Sequence, residues 1–273
     1  MRRLRSNMTP DAAIKARRFA DVTNKAWGYC LEALREPSRL PFLAYSCAAK
    51  KAHLGELLGL NRQREWMRVS GIQTVIDVGA NSGQFASAVR CVLPDAQIYS
   101  FEPIPDVHEE LVKRLSRFGN FQSFCVALGN RTGETTFWRS EFSKSSSLLP
   151  MSKTHRDAFP WTSNSSATTV KLDTLDNHLE RMVLSPGVLL KLDVQGYEVG
   201  VLDGARAVLP RVQYVQVETS FAQLYEGQSS FSDVYRLLTS AGFDYAGSSG
   251  QTFSPVDGNI LQEDALFRRS RPC

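Results

Sequence analysis

The chain has 273 residues, 42% of them hydrophobic, with 32 Lys and Arg against 28 Asp and Glu for a formal net charge of +4. That is enough apolar chain for one large α/β domain with an appendage, and no window approaches 18 uninterrupted apolar residues, so no membrane-spanning helix is expected. The five cysteines (Cys30, Cys47, Cys91, Cys125, Cys273) are scattered without a C-x-x-C pair, which argues against a disulfide framework or a thiolate zinc site and suits a reducing, cytoplasmic setting.

Charge is unevenly spread: residues 1–70 carry 14 Lys and Arg against 6 Asp and Glu, the remainder 18 against 22. The opening MRRLRSNMTPDAAIKARR is basic but lacks the apolar run of a signal peptide. Thr9 is suited to cap a helix with Pro10 at its first position, and two or three helices fit residues 10–68. This basic segment suits an anionic membrane surface, an acidic glycan or a nucleic acid, or is simply a solvated helix face.

From Gly71 the pattern alternates: strand 74–79, helix 82–92, strand 97–102, helix 105–118, strand 121–128. Such alternation predicts parallel strands joined by crossover helices. A short strand over Glu134–Arg139 precedes a Ser/Thr-rich stretch without periodicity, 140–169, which reads as a long mobile lid loop, regular structure resuming at Val170. Strand 188–193, helix 198–208, strand 212–218 and helix 230–241 follow, then two antiparallel strands, Phe243–Ala246 and Ala265–Arg268. The expected organisation is a helical segment over 1–70 and one α/β domain over 71–273.

VIDVGANSGQF (75–85) is an apolar strand that breaks into a glycine turn, the place where parallel α/β sheets hold ligands. Gly79 and Gly83 permit close backbone approach, and the following helix aims its free N–H groups into the same space. Asn81 and Gln84 stand where a G-x-G-x-x-G dinucleotide fingerprint needs glycine, and no lysine completes a P-loop. The remaining D-x-G-x-x-x-G, with Asp77 before Gly79, suits a ligand with a cationic amino acid end, such as S-adenosylmethionine. Glu102 ends the second strand, where a carboxylate can accept from ribose hydroxyls, although a nicotinamide site would want an acid there as well.

With VIDVGANSGQF, SFEPIP (100–105), VALGNRTGE (126–134), SSSLL (145–149), VKLDTLD (170–176), LLKLDVQGYEVGVLDGA (189–205) and VQVE (215–218) in order, the chain resembles the FkbM family of S-adenosylmethionine-dependent methyltransferases over roughly residues 72–245. The resemblance implies a class I methyltransferase (Rossmann-like) fold: a seven-strand, mostly parallel sheet with helices on both faces. It also implies that Asp77, Gly79, Asn81 and Gly83 line the methionine end of the cofactor, Glu102 with Pro103 the ribose, and the 125–127 turn, with Ala127, the adenine edge. Many relatives carry a polar residue near Cys125; Cys-Val-Ala here leaves the adenine amino group to the backbone.

Methyl transfer to a hydroxyl needs collinear positioning and a base to take the proton. Asp193, ending the fourth strand, is the leading candidate for that base and for a cofactor contact; it could equally organise the turn. Lys191 shares its strand face by the period-two rule and would stabilise its ionised form. Glu218 and Glu198 are the second candidates. A divalent ion on Asp193 and Glu218 could replace or assist the base; the expected site holds no metal, and His53, His108, His155 and His178 lack the spacing of a histidine metal site. His155, in the lid, is either an acceptor-side base or a surface residue. Phe142, Phe159 and Trp161 in the lid could stack on a sugar or fasten the loop. The reading is O-methylation of a hydroxyl on a small molecule or glycan, with no nucleic acid partner and the oligomeric state, including a homodimer, left open. A nicotinamide-dependent oxidoreductase and a non-catalytic cofactor-binding protein that docks through its basic N-terminus are the competing classes.

Overall fold

The computed structural model describes residues 54–270. The expected cap at Thr9 and the helices before residue 54 lie outside the described residues. Helix α1 (Leu54–Val69) leads into β1 (Thr74–Val78), α2 (Gln84–Val92), β2 (Gln97–Phe101), α3 (Pro105–Leu115) and β3 (Phe121–Phe124). Then come β4 (Ala127–Leu128), β5 (Gly133–Ser140), α4 (Lys153–Ala158), β6 (Ser165–Asp173), β7 (Val188–Leu192) and α5 (Glu198–Asp203). The chain continues through β8 (Val212–Ser220), α6 (Phe231–Ser240), β9 (Phe243–Phe253) and β10 (Ile260–Arg269).

Seven strands form one sheet in the order β3-β2-β1-β7-β8-β10-β9, parallel except that β10 runs antiparallel to both of its neighbours. The central strands β1 (TVIDV) and β7 (VLLKL) are buried along their whole length, as strands covered on both faces must be. Strand alternation divides the core. Val75 and Leu189 face the layer of α1, α2 and α3, while Ile76, Val78, Leu190 and Leu192 face α5 and α6. Asp77 and Lys191 are register partners in these adjacent strands, on the same face as Val75 and Leu189. Helix α6 starts where its sequence says it should: Ser230 Oγ accepts from Asp233 N (3.3 Å) while Asp233 Oδ2 accepts from Ser230 N (3.0 Å).

The expected strand 121–128 is two strands. Phe121–Phe124 pairs with β2, whereas Ala127–Leu128 belongs to a second sheet of order β4-β6-β5. The expected helix 198–208 is six residues long and ends at Gly204, where a Cβ would stand 1.9 Å from the Gly129 carbonyl oxygen. The 140–169 lid is largely ordered: β6 begins at Ser165, five residues before the expected restart, and pairs along β5 from Ser140 to Gly133. Residues 165–169 are exposed, so their strand carries no apolar alternation to read. The last two strands are likewise longer than expected and form a hairpin, 243–269.

Candidate active site

A cavity of about 930 Å³ opens at the C-terminal ends of β1, β2, β7 and β8, where the strand order reverses direction. Its inner wall begins at the turn after β1. Gly79, at φ 77°, lies so close to the carbonyl of Asp193 that a Cβ would stand 1.9 Å from that oxygen, so the turns after β1 and β7 touch backbone to backbone only because residue 79 has no side chain. Asn81 is also left-handed (φ 49°), and its Oδ1 accepts from Ser82 N (2.8 Å) and Gln84 Nε2 (3.2 Å). Gly83 caps α2 from outside the cavity, packed under Leu111 and Leu115 of α3. Asp77 is fully buried and does not line the cavity; Lys191 Nζ stands 3.7 Å from its Oδ1.

At the end of β2, Glu102 reaches into the cavity. Its Oε2 accepts from Asn81 N (3.0 Å) and its Oε1 from Ile104 N (2.9 Å), which locks the carboxyl group across the mouth of the β1 turn. Burial outweighs those two bonds and raises its pKa to about 7. Pro103, Ile104, Val126 and Ala127 continue the wall as an apolar shelf, and the Cys125 thiol is turned to Pro103 O (3.6 Å).

The centre of the site is a set of acids around Gln195. Burial pushes the Asp193 carboxyl up, but the Lys191 ammonium (3.1 Å from Oδ2) and the Gln195 amide (2.8 Å from Oδ1) outweigh it and hold the pKa below the ordinary aspartate value. Gln195 Nε2 also donates to Glu218 Oε2 (2.7 Å), which accepts from Gln262 Nε2 as well (2.8 Å). Burial, with the charges of Asp193, Asp264 and Glu198, drives Glu218 well above its ordinary value. The surroundings therefore favour the ionised form at Asp193 and the protonated form at Glu218. Lys191 is held between Asp77 and Asp193 and over the ring of Phe85. Glu198 does not line the cavity. Its Oε1 accepts from Val194 N (3.2 Å) and Gly196 N (3.0 Å), so it holds the turn that aims Asp193 and Gln195, with a pKa raised to about 7 by burial.

The lid is pinned over this set. Ser143 Oγ donates to Asn81 Oδ1 (3.2 Å) and Ser147 Oγ to the Gln195 carbonyl (2.7 Å). Tyr225 Oη lies 2.8 Å from Gln195 Oε1 and 3.2 Å from the Ser145 carbonyl. His155 is buried rather than on the surface. Thr162 Oγ1 gives its one proton to Phe159 O (2.9 Å), so His155 Nε2, 2.8 Å away, is the donor to that hydroxyl. Burial and the neighbouring Arg156 lower its pKa to about 4, and the neutral ring packs edge-on against Phe159 and Tyr225. It fastens the lid. Among the described residues no group of three or more His, Cys, Asp and Glu is arranged to hold a metal ion, and no helix is long and apolar enough to cross a membrane.

Sequence reasoning brought Asp193, Lys191, Glu218, Glu102, Gly79 and Asn81 to this one place but missed Gln195, Tyr225, Gln262 and Asp264. Gln195 stood in the quoted LLKLDVQGYEVGVLDGA without a role. Gln262 and Asp264 lay in a stretch, ILQED, whose polar residues are weak strand formers.

The strand order β3-β2-β1-β7-β8-β10-β9 with β10 antiparallel, and a cavity at its switch point, define a class I methyltransferase fold. The chain belongs to the FkbM methyltransferase family: the methyltransferase FkbM domain matches residues 77–245. It is 28% identical over 173 residues to the 2-O-methyltransferase NoeI of Sinorhizobium fredii, covering 61% of this chain and 71% of that protein. It is 28% identical over 167 residues to the hexuronic acid methyltransferase AglP of Haloferax volcanii, covering 60% of this chain and 61% of that protein. A solved methyltransferase domain of bacterial CtHen1-C superposes at a TM-score of 0.43 and 13% identity, over 78% of this chain and 97% of that one. The fold assignment rests on the sheet order, and the protein is a methyltransferase; the nicotinamide and non-catalytic alternatives are set aside.

Proposed function

We propose that the protein moves a methyl group from S-adenosylmethionine to a hydroxyl oxygen of a sugar, free or within a glycan. The observation that carries this is the geometry of the cavity: Asp193 and Glu218, bridged by the Gln195 amide, stand beside Glu102 at the β2 terminus. The residues fit the cofactor. Each Glu102 oxygen accepts one backbone N–H and keeps a further acceptor direction, which suits the two hydroxyls of a ribose. The Pro103–Ile104 and Val126–Ala127 shelf suits the flat adenine, and the Gly79–Asn81 turn the amino acid end, with Asp77 contributing charge from below.

S-adenosylmethionine, when bound, supplies a sulfonium-activated methyl group. Asp193 accepts the hydrogen bond of the acceptor hydroxyl, fixes its oxygen for attack and takes its proton as the new C–O bond forms. Lys191 and Gln195 keep Asp193 ionised and pointed. The lid, held by Ser143 on Asn81 and Ser147 on Gln195, borders the reacting groups. Relatives named for 2-O-methylation and for hexuronic acid methylation support oxygen as the atom methylated and a sugar as its carrier.

The test is calorimetry of S-adenosylhomocysteine on the full chain, followed by labelled methyl transfer from S-adenosylmethionine into a lysate and mass identification of the product. Binding with label in a glycan or sugar metabolite is expected. Absence of binding, or label in protein or RNA, would overturn the reading.

A further inference from the structure

The family match ends at residue 245, yet part of the cavity wall is built beyond it. The hairpin of β9 and β10 brings Gln251, Thr252, Phe253, Pro255, Gln262 and Asp264 to the cavity, on the far side of Glu218 from the cofactor shelf. Three features set this wall apart from a structural edge. Phe253 is 54% exposed although it lines the cavity. The β9–β10 ladder shifts register between Ile260 and Gln262 and again between Asp264 and Ala265, irregularities that re-aim side chains and that flank the two polar lining residues. Gln262, buried, spends an N–H on Glu218, which links the hairpin directly to the Asp193–Gln195–Glu218 set. Other aromatic rings, Phe142, Phe159 and Trp161, reach the same cavity from the lid.

We infer that the β9–β10 hairpin is the acceptor subsite, with Phe253 as a platform for the C–H face of a pyranose ring and Gln251, Thr252 and Asp264 as partners for its hydroxyls. The inference rests on the methyltransferase reading above and names where its substrate sits. Aromatic rings beside amide and carboxylate groups match a pyranose, which is apolar across its ring faces and polar around its edge. A wall outside the segment shared with the family is also where selection of one acceptor can differ without disturbing the cofactor half of the site.

The test uses saturation-transfer NMR on the full chain with S-adenosylhomocysteine present. The probes are methyl β-D-glucopyranoside, methyl α-L-fucopyranoside and methyl β-D-glucopyranosiduronic acid. At least one probe is expected to receive saturation at its ring protons. Phe253→Ala is expected to weaken that probe at least tenfold, with Phe253→Trp restoring it and S-adenosylhomocysteine affinity within twofold in both. Equal probe binding by wild type and Phe253→Ala, or nucleoside binding with no response from any probe, overturns the subsite while leaving the methyltransferase reading in place. Failure to bind the nucleoside overturns that reading first and this one with it.

Discussion

Asp193 and Glu218 accept hydrogen bonds from the same nitrogen, Nε2 of Gln195, at 2.8 and 2.7 Å. Two carboxylates brought so close cannot both ionise cheaply, and the surroundings decide which does. Lys191 lies on the Asp193 side, while Glu218 is surrounded by further acids. The amide is fully used, since its Oε1 is met by Tyr225 Oη. Its orientation is therefore fixed, and with it the direction of both acids.

Removing the base alone should leave the fold and the cofactor half intact. Asp193→Asn keeps the side-chain shape but loses the ability to take a proton, together with the negative charge and one of the two oxygens that accept from Lys191 and Gln195. Methyl transfer in single turnover is expected to fall about 10²- to 10⁴-fold, the range for loss of a general base. S-adenosylhomocysteine affinity by calorimetry should change far less. Turnover within a few-fold of wild type would remove Asp193 from the chemistry.

Lys191→Met tests how the charge is set. The ammonium favours the ionised form of Asp193, so its loss raises that pKa, and the rising acid limb of the pH–rate profile should move to higher pH. The same change takes the cation from fully buried Asp77, a cost of about 3–5 kcal/mol for breaking a buried pair. Asp77→Asn in the Lys191→Met background should recover much of that stability, read by urea unfolding, without returning the acid limb. An unmoved acid limb would mean that Lys191 does not tune the base.

Most of the sheet was legible because β1 and β7 are short, mostly apolar runs and the segments between them alternate strand and helix patterns. Strand β6 was not, because Ser165–Thr169 is exposed and its identity as a strand comes only from pairing with β5. The site divides the same way. Gly79, Glu102 and Asp193 announce themselves by standing at strand ends. Gln195 and Tyr225 do not, because a glutamine or tyrosine gains its role only when folding brings Ser145, Glu218 and Asp193 around it.

Tyr225→Phe should loosen the lid without emptying the core. The hydroxyl joins Gln195 Oε1 to the Ser145 carbonyl, and the ring is fully buried and keeps its packing in the variant. A loss of about 1 kcal/mol is expected for the bonds removed. Faster amide hydrogen exchange across residues 143–149, with α2 and β1 unchanged, is the local readout. Uniform exchange in the two proteins would show that the lid is held by other contacts.

Glu198 gives a stability prediction whose sign follows from its position. Burial lifts its pKa from 4.5 to about 7 in the folded chain, so between those values the folded state binds the proton that the unfolded state has released. Stability from this group is therefore full below pH 4.5 and declines as pH rises to about 7, by about 3 kcal/mol in all. Glu198→Gln keeps an oxygen for Val194 N and Gly196 N but has nothing to titrate. Urea unfolding should find the variant more stable than wild type above pH 7, with the difference shrinking toward pH 4.5. Parallel stability curves for the two proteins across that range would show that Glu198 ionises freely where it sits.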